Sequence, residues 1–219
     1  MFKLEKFPID DIYLGSLRIG GNEIIKKNKE TVRRITDYVL SMKIEELIAL
    51  LRQPVVANRR LGEAFHRYFV SMGYPILAEN EFKTLNVYRD STTHKRHKVL
   101  MMKGSMGKFK EFANDNLDCG VDKQLDVLLK VNGSYVIGEA KFVTNFGGHQ
   151  NEEVKEALDF VNSSRGSATR IAILDGAIWY NTGNRMSQRV QNTENIVMSV
   201  LLFPDFIKNF GKYTHRPGK

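Results

Sequence analysis

Apolar and polar residues along this chain fall into a few clear periods. Within NKETVRRITDYVLSMKIEELIALLRQP, apolar residues recur at Val32, Ile35, Val39 and Leu40, then at Ile44, Leu47, Ile48 and Leu51. That spacing predicts two helices, ended near Pro54. A further helical stripe runs through Leu61, Ala64, Phe65, Tyr68, Phe69 and Met72. Gly73 and Pro75 stop it. PILAENEFKTLNVYRD reads as a strand region, and KGSMGKFKEFANDNLDCGVDK as a loop or short helix. From Gln124 to Phe142 two apolar strands flank Asn132-Gly133, the dipeptide that suits the positive φ angles of a tight hairpin. A helix is expected next, with Asn151 as N-cap, Glu152 and Glu153 in its first turn, and Val154, Ala157, Leu158 and Val161 as its apolar stripe. RIAILD reads as a buried strand, GAIWYN as its extension past Gly176, and NIVMSVLLF as a last strand ended by Pro204.

This order predicts an α/β fold: a mixed central sheet flanked by helices, with an N-terminal helical extension. The division expected is a helical segment over 1–56 packed on a core over 57–219. The two N-terminal helices would carry a dimer contact or a DNA-facing surface, or simply cover the core.

The hairpin carries charges where its apolar character makes them costly. With a two-residue loop, Val131 faces Ser134, Leu129 faces Val136, and Asp126 faces Glu139. One face holds Leu125, Val127, Leu129, Val131, Val136, Gly138, Ala140 and Phe142, and must be buried. Gly138 and Ala140 would let a helix approach. The other face holds Leu128, Tyr135 and Ile137 between Asp126 and Lys130 on one strand and Glu139 and Lys141 on the other. Two carboxylates side by side at a covered edge repel, and partial burial strengthens the repulsion. Lys141 offsets part of it. A divalent cation offsets more, and oxygen ligands of this kind suit magnesium. The alternative is a solvent-facing charge cluster at a frayed strand end. Of the three Glu-x-Lys tripeptides in the chain, at Glu81, Glu139 and Glu153, only the middle one closes a hairpin strand with an aspartate opposite.

Charge then narrows the partners. The 219 residues carry a net charge of +8, which favours a polyanion, nucleic acid first and an anionic membrane second, although many soluble proteins are basic. A single cysteine, Cys119, excludes an internal disulfide or a cysteine-cluster zinc site, and is expected to be inert. MFKLEKFPID lacks the apolar run of a signal peptide, and no stretch approaches the ~20 apolar residues of a membrane span. A cytoplasmic protein with no membrane partner is expected.

LDVLLK…NGSYVIGEAKF resembles the catalytic hairpin of the PD-(D/E)XK nuclease superfamily, with Leu125 where a proline often precedes the aspartate. The order of elements over about 57–203 is similar to that family's core. The chain's size, the FGGHQN loop and the stretch from Leu174 to Trp179 look most like type II restriction endonucleases. The resemblance implies a restriction-endonuclease-like core and Mg2+-dependent hydrolysis of double-stranded DNA, leaving 5′-phosphate and 3′-hydroxyl ends. Asp126, Glu139 and the Ala140 carbonyl would hold Mg2+, and Lys141 would position or deprotonate the attacking water. Glu63, on the first core helix, would be a further catalytic acid and metal ligand, or a solvated helix residue.

DNA must be held largely through its phosphates. Lys95, Arg96 and Lys98, with Lys103 beyond, form the densest basic stretch, a DNA-wrapping or merely solvated loop. Arg185, Gln188 and Arg189 carry side chains suited to guanine and adenine edges. Asn145, His149 and Gln150 lie just past the hairpin, at a helix start that can meet phosphate. His149 is a candidate base or a helix-entry residue, and Trp179 and Tyr180 are expected in the core. A palindromic site would call for a homodimer. A junction resolvase or other repair nuclease, and a non-catalytic DNA-binding protein with a structural acidic pair, remain the alternatives.

Overall fold

The computed structural model describes residues 29–52, 65, 68–143, 146–179 and 183–214. Its centre is a six-stranded sheet. The strands are β1 (Ile76–Leu77), β4 (Val99–Met102), β5 (Val127–Val131), β6 (Ser134–Val143), β7 (Thr169–Gly176) and β8 (Val197–Met198), in the order β1-β4-β5-β6-β7-β8. A separate ribbon pairs β2 (Tyr88–Arg89) with β3 (Arg96–His97). β4, β5 and β6 run antiparallel to their neighbours in this trio, whereas β6, β7 and β8 are mutually parallel. The parallel half requires crossovers. They are α5 (Gly148–Asn162) between β6 and β7, and α6 (Arg185–Gln191) between β7 and β8.

The β5–β6 register is the one the Asn-Gly turn dictates, with Val131 opposite Ser134, Leu129 opposite Val136 and Val127 opposite Gly138. Asn132 and Gly133 both have positive φ, at 51° and 86°. Alternation then sorts the sheet into two buried faces. Leu100, Met102, Leu128, Ile137, Ala172 and Leu174 pack with α4 (Met106–Leu117) and α5. Met101, Val127, Leu129, Val136, Ile171 and Ile173 pack against Phe69 and against α7 (Phe203–Lys208). The Phe69 and Phe203 rings meet edge to face at 4.6 Å. A sheet covered on both sides explains why β5 and β7 read as near-continuous apolar runs.

Several expectations are corrected. The strand region after Pro75 contains only two-residue strands, because residues Glu79–Thr84 form a helix, α3. Glu79 and Glu81 lie in its first turn and Lys83 in its last, which matches the helix dipole. Lys130, only 1% exposed, crosses the core to cap that helix. Its ammonium donates to the Lys83 and Leu85 carbonyls at 3.0 Å each, over the Tyr135 ring. The Gly- and Lys-rich segment is a full helix, α4, whose buried Phe109, Phe112, Ala113 and Leu117 keep helical spacing. GAIWYN turns into a 3-10 helix at Ala177–Trp179 rather than extending β7. The final strand is two residues long and passes through a 3-10 turn, Val200–Leu202, into α7, which is followed by α8 (Phe210–Thr214).

Gly138 admits no helix. A Cβ there would meet Ile171 Cγ1 at 2.7 Å and Val127 Cβ at 3.2 Å, so neighbouring strands fill the space. Leu125 belongs to the opposite core cluster from the one its alternation predicted, because the chain leaves the strand at Asp126.

At the N-terminus, α1 (Lys29–Ser41) and α2 (Ile44–Arg52) are helical as the spacing predicts. Leu40 and Ile44 remain largely exposed, and Ile48 partly so. Among the described residues no helix is long and apolar enough to cross a membrane.

Candidate active site

The open end of the β5–β6 hairpin is where the local rules of sheet pairing run out. The ladder ends at Val127–Gly138. One residue earlier, the Asp126 N–H donates to the Gly138 carbonyl at 3.1 Å. The Asp126 carboxylate takes over as acceptor, receiving the Ala140 N–H at 2.8 Å through Oδ2. The aspartate expected to face Glu139 as a ladder partner is thus clamped across the strand end by its side chain. In an extended strand a residue's N–H and C=O point the same way. The Ala140 carbonyl therefore also points towards the side where Asp126 sits.

Glu139 lies one residue past the end of the β5 ladder and remains paired with β7, opposite Ala172. It is 3% exposed, and its Oε2 is buried with no hydrogen-bond partner. Lys141 follows on the same face, next to Leu174, and is partly exposed. Burial pushes the Asp126 carboxyl above its ordinary value, against the opposing pull of the Ala140 N–H and of Lys141. Burial likewise pushes Glu139 up. Lys141 and Lys123 draw it down, and the charges of Asp126 and Glu156 push it further up. The two carboxylates are therefore short of positive charge.

A buried, unpartnered carboxylate oxygen beside a second carboxylate fits a hard cation. Among the described residues no group of three His, Cys, Asp or Glu side chains could hold a metal. The donors available are two carboxylates and one carbonyl, an all-oxygen set of the kind Mg2+ uses while it keeps several waters.

Two residues at this site were missed by sequence reasoning. Lys123 and Glu156 form an ion pair between the loop before β5 and α5. That loop is pinned: Asn114 clamps Val121 at both its N–H and its carbonyl, and Lys110 donates to the Asp122 carbonyl at 2.6 Å. Helical spacing held a signal for Glu156. His149, Glu153 and Glu156 lie at i, i+4 and i+7, one face of α5, and His149 and Glu153 approach at 3.6 Å. Nothing local pointed to Lys123.

The residues expected at DNA divide by location. Lys103 follows β4, which runs antiparallel to β5, so it lies at the carboxylate end. Lys95, Arg96 and Lys98 lie at the other end. The Asn132 N–H donates to the Lys98 carbonyl at 2.8 Å, which places Lys98 at the Asn-Gly turn, about 20 Å of strand away from the carboxylates. His149 and Gln150 form the first turn of α5. Arg185, Gln188 and Arg189 share α6 and, with Leu158, Asn162, Asn192 and Thr193, line an open cavity of about 390 Å³ against α5. Trp179 packs against the core, and its indole N–H donates to the Leu174 carbonyl at 2.5 Å. Cys119 is buried. Glu63, Asn145 and Tyr180 lie outside the described residues.

At the same end of β7, on the opposite face, Asp175 accepts from Ser199 Oγ at 2.5 Å and from the Val200 N–H at 3.0 Å. Burial raises it to about 6 even so. It fastens β7 to the start of the C-terminal helices, away from Glu139.

A family model described as Tsp45I type II restriction enzyme matches residues 1–210. No curated protein and no solved structure gives a significant match.

Proposed function

The chain belongs to the Tsp45I type II restriction enzyme family, whose members are site-specific deoxyribonucleases acting on DNA, and we propose that its cleavage centre is the open end of the β5–β6 hairpin. The observation that carries this is Glu139 Oε2, buried and unpartnered beside Asp126. Asp126, Glu139 and the Ala140 carbonyl would hold Mg2+. When bound, Mg2+ supplies positive charge to phosphate oxygens and acidifies water.

The protein's own residues do the remaining work. The Ala140 N–H fixes one oxygen of Asp126, so its other oxygen is presented at a set angle. The rigid β6 strand, held by β5 and β7, aims Glu139 and Lys141 at the same face. The Lys141 ammonium orients the attacking water and a phosphate oxygen. The water oxygen forms a bond to phosphorus as the P–O3′ bond breaks, and the proton the water loses passes to solvent. The 3′ oxygen leaves as a hydroxyl after taking a proton from solvent, and the phosphate stays on the 5′ end.

The remaining assignments rest on chemistry and placement. Lys103 and the first turn of α5 lie at the carboxylate end and suit backbone phosphates. Arg185, Gln188 and Arg189 offer the donors and acceptors that read guanine and adenine. The exposed apolar residues of α1 and α2 favour a homodimer contact, the helical segment 1–56 serving a nuclease core over 57–219. Two copies would cut both strands of a palindromic site, in the cytoplasm. Glu63 would add a further acid to the centre.

Plasmid DNA incubated with the protein and Mg2+ should give discrete fragments, and EDTA should abolish them. Asp126→Ala should lose cleavage by about a hundred- to a thousandfold, as expected for a group acting on transition-state charge. It should still shift DNA in a gel. Full activity of Asp126→Ala would move the centre elsewhere, and cutting confined to branched DNA would replace restriction with junction resolution.

A further inference from the structure

The Lys123–Glu156 ion pair lies outside the steps of the cleavage reaction. It spans from the loop before β5 to α5, and both charges act on the Glu139 carboxylate. Glu156 belongs to α5, the helix that packs on the face of β6 and β7 carrying Glu139, and the charges of Lys141 and His149 act on it as well. The backbone just before Lys123 is tied to α4 by Asn114, at Val121, and by Lys110, at Asp122. Each partner is about half exposed, at 49% and 44%, so the pair can open without unpacking the core. On the sheet face that α5 covers, Glu139 Oε2 is buried and without a partner.

We propose that Glu156 is a reserve carboxylate of the cation site, masked by Lys123 until a DNA phosphate draws that lysine away. This rests on the assignment of Asp126 and Glu139 as cation ligands. An ammonium held against Glu156 neutralises it and makes it a poor partner for a cation. A phosphate arriving at the open end of the hairpin offers Lys123 a second anion, and the chain's net charge of +8 favours that arrival. Glu156 is then free to add its charge beside Glu139. Ion binding and DNA binding strengthen each other, and by linkage the coupling is reciprocal. The free enzyme holds its cation weakly, and DNA completes the site.

Binding of Mn2+ to the intact protein, followed by the electron spin resonance of the free ion, tests this without cleavage. Lys123→Met unmasks Glu156 and should tighten Mn2+ about five- to tenfold. Glu156→Gln alone should stay within about twofold of the parent, because the carboxylate it removes is already neutralised. The double variant should lose the whole gain. A plain through-space field predicts otherwise: Glu156→Gln would weaken binding equally with and without Lys123, and that parallel shift overturns the proposal. Loss of a half-exposed pair leaves the fold intact. A random-sequence duplex at low salt should tighten Mn2+ in the parent protein and leave Lys123→Met unchanged. Equal tightening in both refutes release by DNA. Glu139→Met separates the two levels: if it leaves Mn2+ binding untouched, the cation site itself is misplaced. If it abolishes binding while the shifts stay parallel, only the role of Glu156 falls.

Discussion

Replacing Glu139 by methionine should stabilise the metal-free protein while destroying its activity. Methionine matches glutamate in length and brings no polar atom to the site. It removes a carboxylate that is 3% exposed, has an unpartnered Oε2, and is raised by burial and by Asp126. Relief of one such functional compromise is worth about 1–2 kcal/mol. For a chain of this size each kcal/mol moves the melting temperature by about 2–4 °C, so a rise of roughly 2–8 °C is expected in EDTA at pH 8. The sign with pH follows from the raised carboxyl. The folded protein holds that proton more tightly than the unfolded chain, so the parent gains stability as pH falls from neutral towards the ordinary glutamate range. The variant lacks that gain, and the two melting curves should converge near pH 4. Mg2+ should reverse the order at neutral pH. A ligand at a hundred times its Kd adds about 2.7 kcal/mol to the parent and nothing to the variant. The assay is a thermal melt by circular dichroism under these three conditions. A Glu139→Met protein that melts below the parent in EDTA at pH 8 would refute the reasoning, because Glu139 would then be stabilised within the fold and would not await a cation.

Other outcomes follow from the same geometry. Gly138→Ala forces a methyl against Ile171 and Val127, and should cost about 1–3 kcal/mol in a denaturant titration; a neutral result would mean that β7 yields freely. Asp175, raised to about 6 from 3.8, makes stability fall as pH rises from about 4 to about 6, by at most about 3 kcal/mol. Asp175→Asn should flatten that slope in melts taken across the range, and an unchanged slope would assign it to other groups. Alanine at both Arg185 and Arg189 should weaken DNA binding and erase site preference while leaving the log–log salt slope nearly unchanged. A slope reduced by about 2 would instead assign both to phosphates.

The hairpin was legible because its information is local. An Asn-Gly turn sets register through backbone angles, and register sets faces by simple alternation, so Asp126, Glu139 and Lys141 could be brought together before any tertiary contact was known. The same locality explains α5 and β7, whose apolar periods are long enough to stand out. Where periods were short or diluted, reading failed. α3 has six residues and one buried side chain, Phe82, so its charge order spoke more clearly than its hydrophobicity. The stripe of α4 was hidden among glycine and lysine.

Other features had no local signal at all. The ladder's end at Val127 depends on Asp126 turning its side chain back to the Ala140 N–H, and it sends Leu125 to the other core cluster. The distance between the basic ribbon and the carboxylates exists only because β4 pairs with β5 and sets Lys98 beside the turn. Lys123 meets Glu156 across a helical crossover, held by a loop that α4 anchors from below. Sequence alone determined which charges share the strand end, because a tight turn leaves a hairpin one register. Only the tertiary structure decided how deeply they are buried and which outside charges reach them, because burial and charge pairing are set by elements far apart in the chain.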